Sequence, residues 1–246
     1  MRLLIDLGNS RLKWAWYDHD RWQAGAVNVA GMSFDEILGE LDPSHNMPEQ
    51  VTFASVADRE STVALGNALM ARWPAPVREI YSTQEQLGVR NRYLDPAQLG
   101  ADRWAALIAA RQETSQPACV ISCGTAVTID ALNAEGDFVG GVILPGLELM
   151  RRSLAEGTAA LSTREGDDSN CQARTTEDGV MSGTRFALAG AITRIAAEHR
   201  RAIGADMITL VTGGSAGVIL PLLEFPVNHH PDLVLHGIRA IAEAGS

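Results

Sequence analysis

Apolar and polar positions alternate along this chain in two registers, short runs of strand length and longer stripes at helical spacing. The run Leu3–Leu7 breaks at a small polar turn, Gly8–Ser10, and apolar character resumes through Trp16, which predicts two tightly joined strands. A helix is expected over Phe34–Leu41, an apolar strand over Val51–Val56, and a helix from Glu60 to Trp73 that stops before Pro74. Gly88–Gly100 reads as loop, because a helix cannot continue through Pro96, and an Ala-rich helix follows over Asp102–Ala110. From Pro117 three strand-like runs succeed one another, 118–123, 126–132 and 138–144, with Glu135-Gly136-Asp137 as the intervening turn. Pro145-Gly146 opens a helix with Leu147, Met150 and Leu154 on one face. Thr175-Thr176-Glu177-Asp178 has the hydroxyl-then-carboxylate pattern of a helix start, and Met181, Leu188, Ile192 and Ile195 follow as a core stripe. The strand Ile208–Thr212 runs into Gly213-Gly214-Ser215-Ala216, and a helix through Leu235, Ile238 and Ile241 ends the pattern.

Two of these segments are copies of one device. Leu3–Ser10 followed by Arg11–Trp16, and Val120–Ala126 followed by Val127–Leu132, superpose strand, turn and strand when Gly8 is aligned with Gly124. Taken singly, each is an ordinary hairpin with a glycine turn. A tight turn of small residues also aims backbone N–H groups outward, where they can hold phosphate oxygens. The pair resembles the way the actin, hexokinase and Hsp70 superfamily grips ATP from both sides. That resemblance implies an α/β fold of two ribonuclease-H-like lobes, each a mixed sheet flanked by helices, with an ATP cleft between them. The lobes are expected at 1–115 and 116–246.

Charge and composition narrow the partners. The formal charge of −10 argues against nucleic acid or an anionic membrane, and no apolar stretch reaches the ~18–20 residues of a membrane span. Three cysteines and an N-terminus unlike a signal peptide fit a reducing cytoplasm. Cys119 and Cys123 share one face of a strand and read as packed thiols, Cys171 as part of a loop over Asp167–Thr176, and His229 and His230 as solvated loop.

Four places invite chemistry. Asp6 ends a buried strand beside the Gly8-Asn9-Ser10 turn, where a carboxylate either caps its own backbone or holds a hydrated Mg²⁺ against phosphates. Lys13 lies three residues past Ser10 and is either an exposed lysine or a phosphate contact. Gly124-Thr125 forms the mirrored turn, and Gly213-Gly214 allows close backbone approach to a flat ligand such as adenosine. Tyr93 through Arg103 packs an aromatic, carboxylates and a guanidinium into one loop entering a helix. There Asp102 is a helix cap or a functional carboxylate, and the planar fork of Arg103 suits a carboxylate or phosphate.

Nearly end to end, the chain resembles the type III pantothenate kinases. The resemblance rests on Asp6-x-Gly8-Asn9-Ser10 with Lys13, Tyr93 through Gly100-x-Asp102-Arg103, Gly124-Thr125-Ala126, Thr176 with Gly183, and Thr212-Gly213-Gly214, all in this order. It implies transfer of the ATP γ-phosphoryl group to the primary hydroxyl of pantothenate, the first step of coenzyme A synthesis, with Mg²⁺ accompanying ATP. By the same resemblance Asp102 is the proton acceptor, and Asp6, Leu7, Gly8, Asn9, Ser10, Arg11, Leu12, Lys13 and Thr125 contact ATP. Tyr93, Gly100, Ala101, Asp102, Arg103 and Thr176 hold pantothenate, and the chain forms a homodimer. The chain departs from the family at Ser122, which stands where an Asp is associated with a monovalent cation, K⁺ or NH₄⁺. Other readings are a sugar or acetate kinase sharing the phosphate turns, or a non-catalytic protein on the same fold. A chain of 246 residues is too short for the further subdomains of an Hsp70-like or actin-like ATPase.

Overall fold

Five strands and two helices are laid down in the first third of the chain, each where burial of an apolar face demands it. The computed structural model describes residues 1–18, 21–41, 47–159, 161, 166 and 170–245. In chain order the elements begin β1 (Arg2–Leu7), β2 (Arg11–Asp18), β3 (Arg21–Asn28), α1 (Phe34–Glu40), β4 (Val51–Ser55), α2 (Arg59–Arg72) and β5 (Val77–Glu79). The sheet order is β3-β2-β1-β4-β5, with β2 antiparallel to both β1 and β3, and β4 parallel to β1 and β5. Leu3, Ile5, Trp14 and Trp16 pack with Leu38, Leu65 and Leu69 of the helices to form one core. Ser33 caps α1 in a reciprocal pair with Glu36, and the Asp58 side chain caps α2.

The chain continues through β6 (Glu85–Gln86), β7 (Val89–Asn91) and α3 (Ala101–Glu113), then β8 (Ala118–Cys123), β9 (Ala126–Leu132) and β10 (Asp137–Pro145). It goes on as α4 (Leu147–Gly157), α5 (Thr176–Ile203), β11 (Ile208–Thr212), α6 (Ala216–Ile219), β12 (Asn228–His229) and α7 (Leu233–Ala244). The strands of this half run β12-β11-β8-β9-β10, with β9 antiparallel and β11 parallel to β8, and β12 parallel to β11. Read from β10, this is the order of the first sheet, so the duplicated turn is the visible end of a duplicated fold. The face carrying Cys119, Ile121, Cys123 and Ile129 packs under Leu188, Ile192 and Ala196 of α5, as the stripe in the sequence predicts. Ile195 packs against the same core from its margin.

Two compact units result: Met1–Thr114 with Gly136–Phe138 and Asp232–Ser246, and Ser115–Glu135 with Val139–Pro231. The chain therefore passes between units four times, where the duplication in the sequence suggests one boundary at 115/116. The C-terminal α7 belongs with the first unit because it packs on α3, β1 and β4. A Cβ at Gly237 of α7 would run into the Ala105 carbonyl of α3, so the close approach of these helices requires glycine there.

Some local expectations differ from the outcome. β3 is absent from the sequence expectation, since its alternating burial is shallow and Trp22 is its largest apolar side chain. It forms because β2 offers a full edge, pairing Arg11 with Asn28 through to Asp18 with Arg21. The segment expected to be loop from Gly88 contains β7 and a single 3-10 turn over Pro96–Gln98. Leu154 is 37% exposed, whereas Leu147 on the same helix is buried. His229 lies in β12, and the His230 N–H donates to the Val211 carbonyl at 2.8 Å, so this stretch is tied to the sheet. Asp167, Asp168 and Ser169 of the expected loop lie outside the described residues.

Candidate active site

In the first unit the hairpin between β1 and β2 closes when Gly8 N–H donates to the Arg11 carbonyl at 3.0 Å. Asn9, Ser10 and Arg11 are exposed at its tip. Leu7 and Leu12 have their side chains in the core, so these two positions offer a ligand only their backbone. Asp6 and Lys13 are cross-strand partners just inside the turn. Asp6 is 8% exposed, and burial pushes its carboxyl up to about 7; Asp102 adds to the rise and Lys13 opposes it. Asp102 and Lys13 thus both act on Asp6, although β1 and α3 lie far apart in sequence. Among the described residues no group of three or more His, Cys, Asp or Glu could hold a metal ion. A hydrated Mg²⁺ needs less: one or two carboxylates and the nucleotide's own oxygens. The buried Asp6 carboxylate, destabilised by burial and a second carboxylate, fits that demand.

Asp102 sits in the first turn of α3, and Gly100, not Asp102, occupies the N-cap. The Asp102 Oδ1 accepts the Arg103 N–H at 2.7 Å, which fixes the carboxylate at the mouth of the helix. Arg103 is buried, and its Nη1 donates to the Tyr93 hydroxyl at 3.1 Å. The loop before them is held from beneath by polar groups that the sequence did not single out. Fully buried Asn91 accepts the Tyr93 N–H at 3.0 Å on Oδ1 and donates from Nδ2 to the Pro96 carbonyl at 3.1 Å. The Ser82 hydroxyl bonds the Pro96 and Leu99 carbonyls, each at 2.7 Å.

The second unit carries the other candidates. Gly124 N–H donates to the Ala126 carbonyl at 3.1 Å, closing a turn one residue tighter than the first hairpin's, and Thr125 is exposed at the tip. Ser122 is half-buried and stands in register with Thr128 on β9 and Thr212 on β11. Gly213 adopts φ +100°, and a Cβ there would overlap the Cys123 backbone, so the strand-to-helix turn after β11 needs glycine. Thr176 is the exposed first residue of α5 and lines an apolar cavity of about 500 Å³ with Met150, Val180 and Ala187. A second cavity of about 240 Å³, between α5 and α6, is lined by Ser182, Arg185, Phe186, Gly217 and Val218. The Ser182 Oγ is buried there without a hydrogen-bond partner among the described residues. No motif in the sequence pointed to Ser182, since a lone serine within a helix carries no signal. Cys119 and Cys123 are packed thiols, pushed by burial up to about 12 and about 11, and Cys171 is exposed.

This fold defines a class. A chain described as an inorganic polyphosphate/ATP-glucomannokinase from Arthrobacter sp. strain KM superposes with a TM-score of 0.50 at 16% identity, covering 100% of this chain and 99% of that one. A chain from the MamK double helical filament does so at 0.51 and 10% identity, covering 100% and 99%. This chain shares its fold with those two. Within it, the sequence model of the type III pantothenate kinases matches residues 2–198, and the chain belongs to that family. The type III pantothenate kinase of Aromatoleum aromaticum is 42% identical over 243 residues, covering 98% of each protein. That of Thiobacillus denitrificans is 40% identical over 251 residues, covering 99% of this chain and 97% of its own.

Proposed function

We propose that this chain transfers the γ-phosphoryl group of ATP to the primary hydroxyl of pantothenate, giving 4'-phosphopantothenate and ADP, the first step of coenzyme A synthesis. Family membership supports the reaction, and one observation supports its site: Asp6, Lys13 and Asp102 share one electrostatic neighbourhood beside the Arg103–Tyr93 pair. In this mechanism the first turn, Asp6 through Lys13, and Thr125 of the second turn bind the phosphates by backbone N–H groups, a hydroxyl and the Lys13 ammonium. Asp102 accepts the pantothenate hydroxyl proton as that oxygen attacks the γ-phosphorus and the bond to the β,γ-bridging oxygen breaks. The Asp6 carboxylate would hold the hydrated Mg²⁺ that comes with the nucleotide, and that ion would supply charge neutralisation. Tyr93, Gly100, Ala101, Arg103 and Thr176 position pantothenate, and Gly213-Gly214 accommodates the adenosine end.

The working protein is a homodimer in this proposal, as the family resemblance implies, and its three cysteines fit a reducing cytoplasm. At the monovalent-cation position Ser122 offers a neutral hydroxyl, so K⁺ or NH₄⁺ is held weakly or by other oxygens. The test is ATP consumption measured with pantothenate, acetate and common hexoses in parallel. Turnover with pantothenate alone is expected; turnover with a hexose or acetate instead would overturn the assignment, and turnover with none would leave a non-catalytic role.

A further inference from the structure

The first two residues of β10 do not belong with the rest of that strand: Asp137 and Phe138, with Gly136 before them, pack with the first unit and Val139–Pro145 with the second. They lie parallel to β7, with Asp137 opposite Arg90 and Phe138 opposite Asn91. The Gly136 carbonyl accepts the Arg90 N–H at 2.8 Å, and the Phe138 carbonyl accepts the Arg92 N–H at 3.2 Å. Asp137 meets Arg90 Nε at 2.7 Å and Arg92 Nη2 at 2.9 Å, which pins the clip at its outer end. Its inner end is Phe138, fully buried. The Phe138 ring lies 5.1 Å from the Tyr93 ring and 5.6 Å from the Arg103 guanidinium carbon. Arg103 therefore faces two aromatic rings, since its guanidinium carbon is also 5.7 Å from the Tyr93 ring.

A buried guanidinium has little water to orient it, so the rings it faces help to set its plane together with its bond to the Tyr93 hydroxyl, and an aromatic face attracts it electrostatically. The loop backbone is secured separately, by the two bonds from Asn91. Loss of the Phe138 ring would thus loosen the packing of the Arg103 and Tyr93 side chains without releasing the loop backbone that Asn91 holds. We propose that Phe138 is a positioning residue for pantothenate, acting through Arg103 and Tyr93. The proposal rests on the assignment of those two residues to pantothenate.

Phe138→Leu and Phe138→Met remove the ring and retain apolar volume, Met more closely. Steady-state kinetics on both, on Arg103→Lys and on the Phe138→Leu/Arg103→Lys double variant separate the possibilities. The expected result is a rise in the KM for pantothenate of about five- to thirtyfold, the worth of a desolvated cation–π contact, with the KM for ATP within about twofold of wild type. Arg103→Lys raises the same KM, and the double variant falls short of the product of the singles, because both changes act on one group. If Arg103→Lys raises the pantothenate KM and neither Phe138 variant does, Phe138 has no such role and the Arg103 assignment stands. If neither position affects it, the assignment of Arg103 itself fails. Equal shifts in both substrates' KM, or loss of a cooperative melt in both Phe138 variants, would make Phe138 a core residue only and overturn the proposal.

Discussion

Asp6, at the end of β1, and Asp102, in the first turn of α3, repel one another across the gap between two elements that the sequence separates by almost a hundred residues. Burial and this repulsion keep the Asp6 carboxyl protonated to about pH 7, against 3.8 for the ordinary group. The unfolded chain releases that proton at the lower pH. Stability from Asp6 is therefore complete below about pH 4 and is lost as pH rises through 7, by about 4 kcal/mol in total. Asp6→Asn removes the dependence and should be the more stable protein above pH 7. Urea unfolding without nucleotide or Mg²⁺ between pH 4.5 and 8.5 measures this, and parallel profiles for the two proteins would refute it.

Asp102→Asn preserves the shape of the side chain and its acceptor oxygen toward the Arg103 N–H. If Asp102 is the proton acceptor, turnover falls by about 10²–10⁴ while the melting temperature and nucleotide binding change little. A variant retaining more than about a third of wild-type turnover would reduce Asp102 to a structural or binding group.

Ser122 predicts a weak response to K⁺. Ser122→Asp places a carboxylate in register with Thr128 and Thr212 beside the second turn. With K⁺ the added charge is compensated and activity holds or rises; with only a bulky organic cation the carboxylate repels ATP and activity falls. A strong K⁺ requirement in wild type that the variant leaves unchanged would show that position 122 does not govern the cation.

Gly237 and Gly190 are both helical glycines with opposite surroundings. A methyl at Gly237 strikes the Ala105 carbonyl, whereas one at Gly190 meets nothing within 4 Å. Gly237→Ala should cost about 1–3 kcal/mol by overpacking, and Gly190→Ala should gain up to ~1 kcal/mol in helix propensity. Thermal unfolding of the two variants decides; equal shifts would contradict the close α3–α7 contact.

How much was legible in the sequence depended on how local the cause was. β1, β8 and their turns could be read because an apolar run breaking at Gly8 or Gly124 carries its own instruction. The start of α5 could be read because Thr175 caps it with a side-chain bond to the Asp178 N–H three residues on. β3 could not, since Arg21–Asn28 takes its conformation from the edge of β2. The site divided the same way. Tyr93, Asp102 and Arg103 announce themselves as a cluster of chemistry in one short segment, whereas Asn91 and Phe138 look like any amide and any core ring. What makes them matter is contact with residues already identified, and for Phe138 that contact spans 35 positions or more.

The return of the last helix to the first unit has a consequence for the order of events on the ribosome. Residues up to Thr114 emerge first, yet α3 and β1 lack their cover until Leu233–Ala244 has been made. The intervening unit, 115–231 apart from Gly136–Phe138, can finish its own sheet before then. Vectorial synthesis thus completes the second unit before the first, and the apolar face of α3 waits exposed while residues 115–231 are made. Emergence of α7, not appearance of the N-terminal segment, closes the first unit.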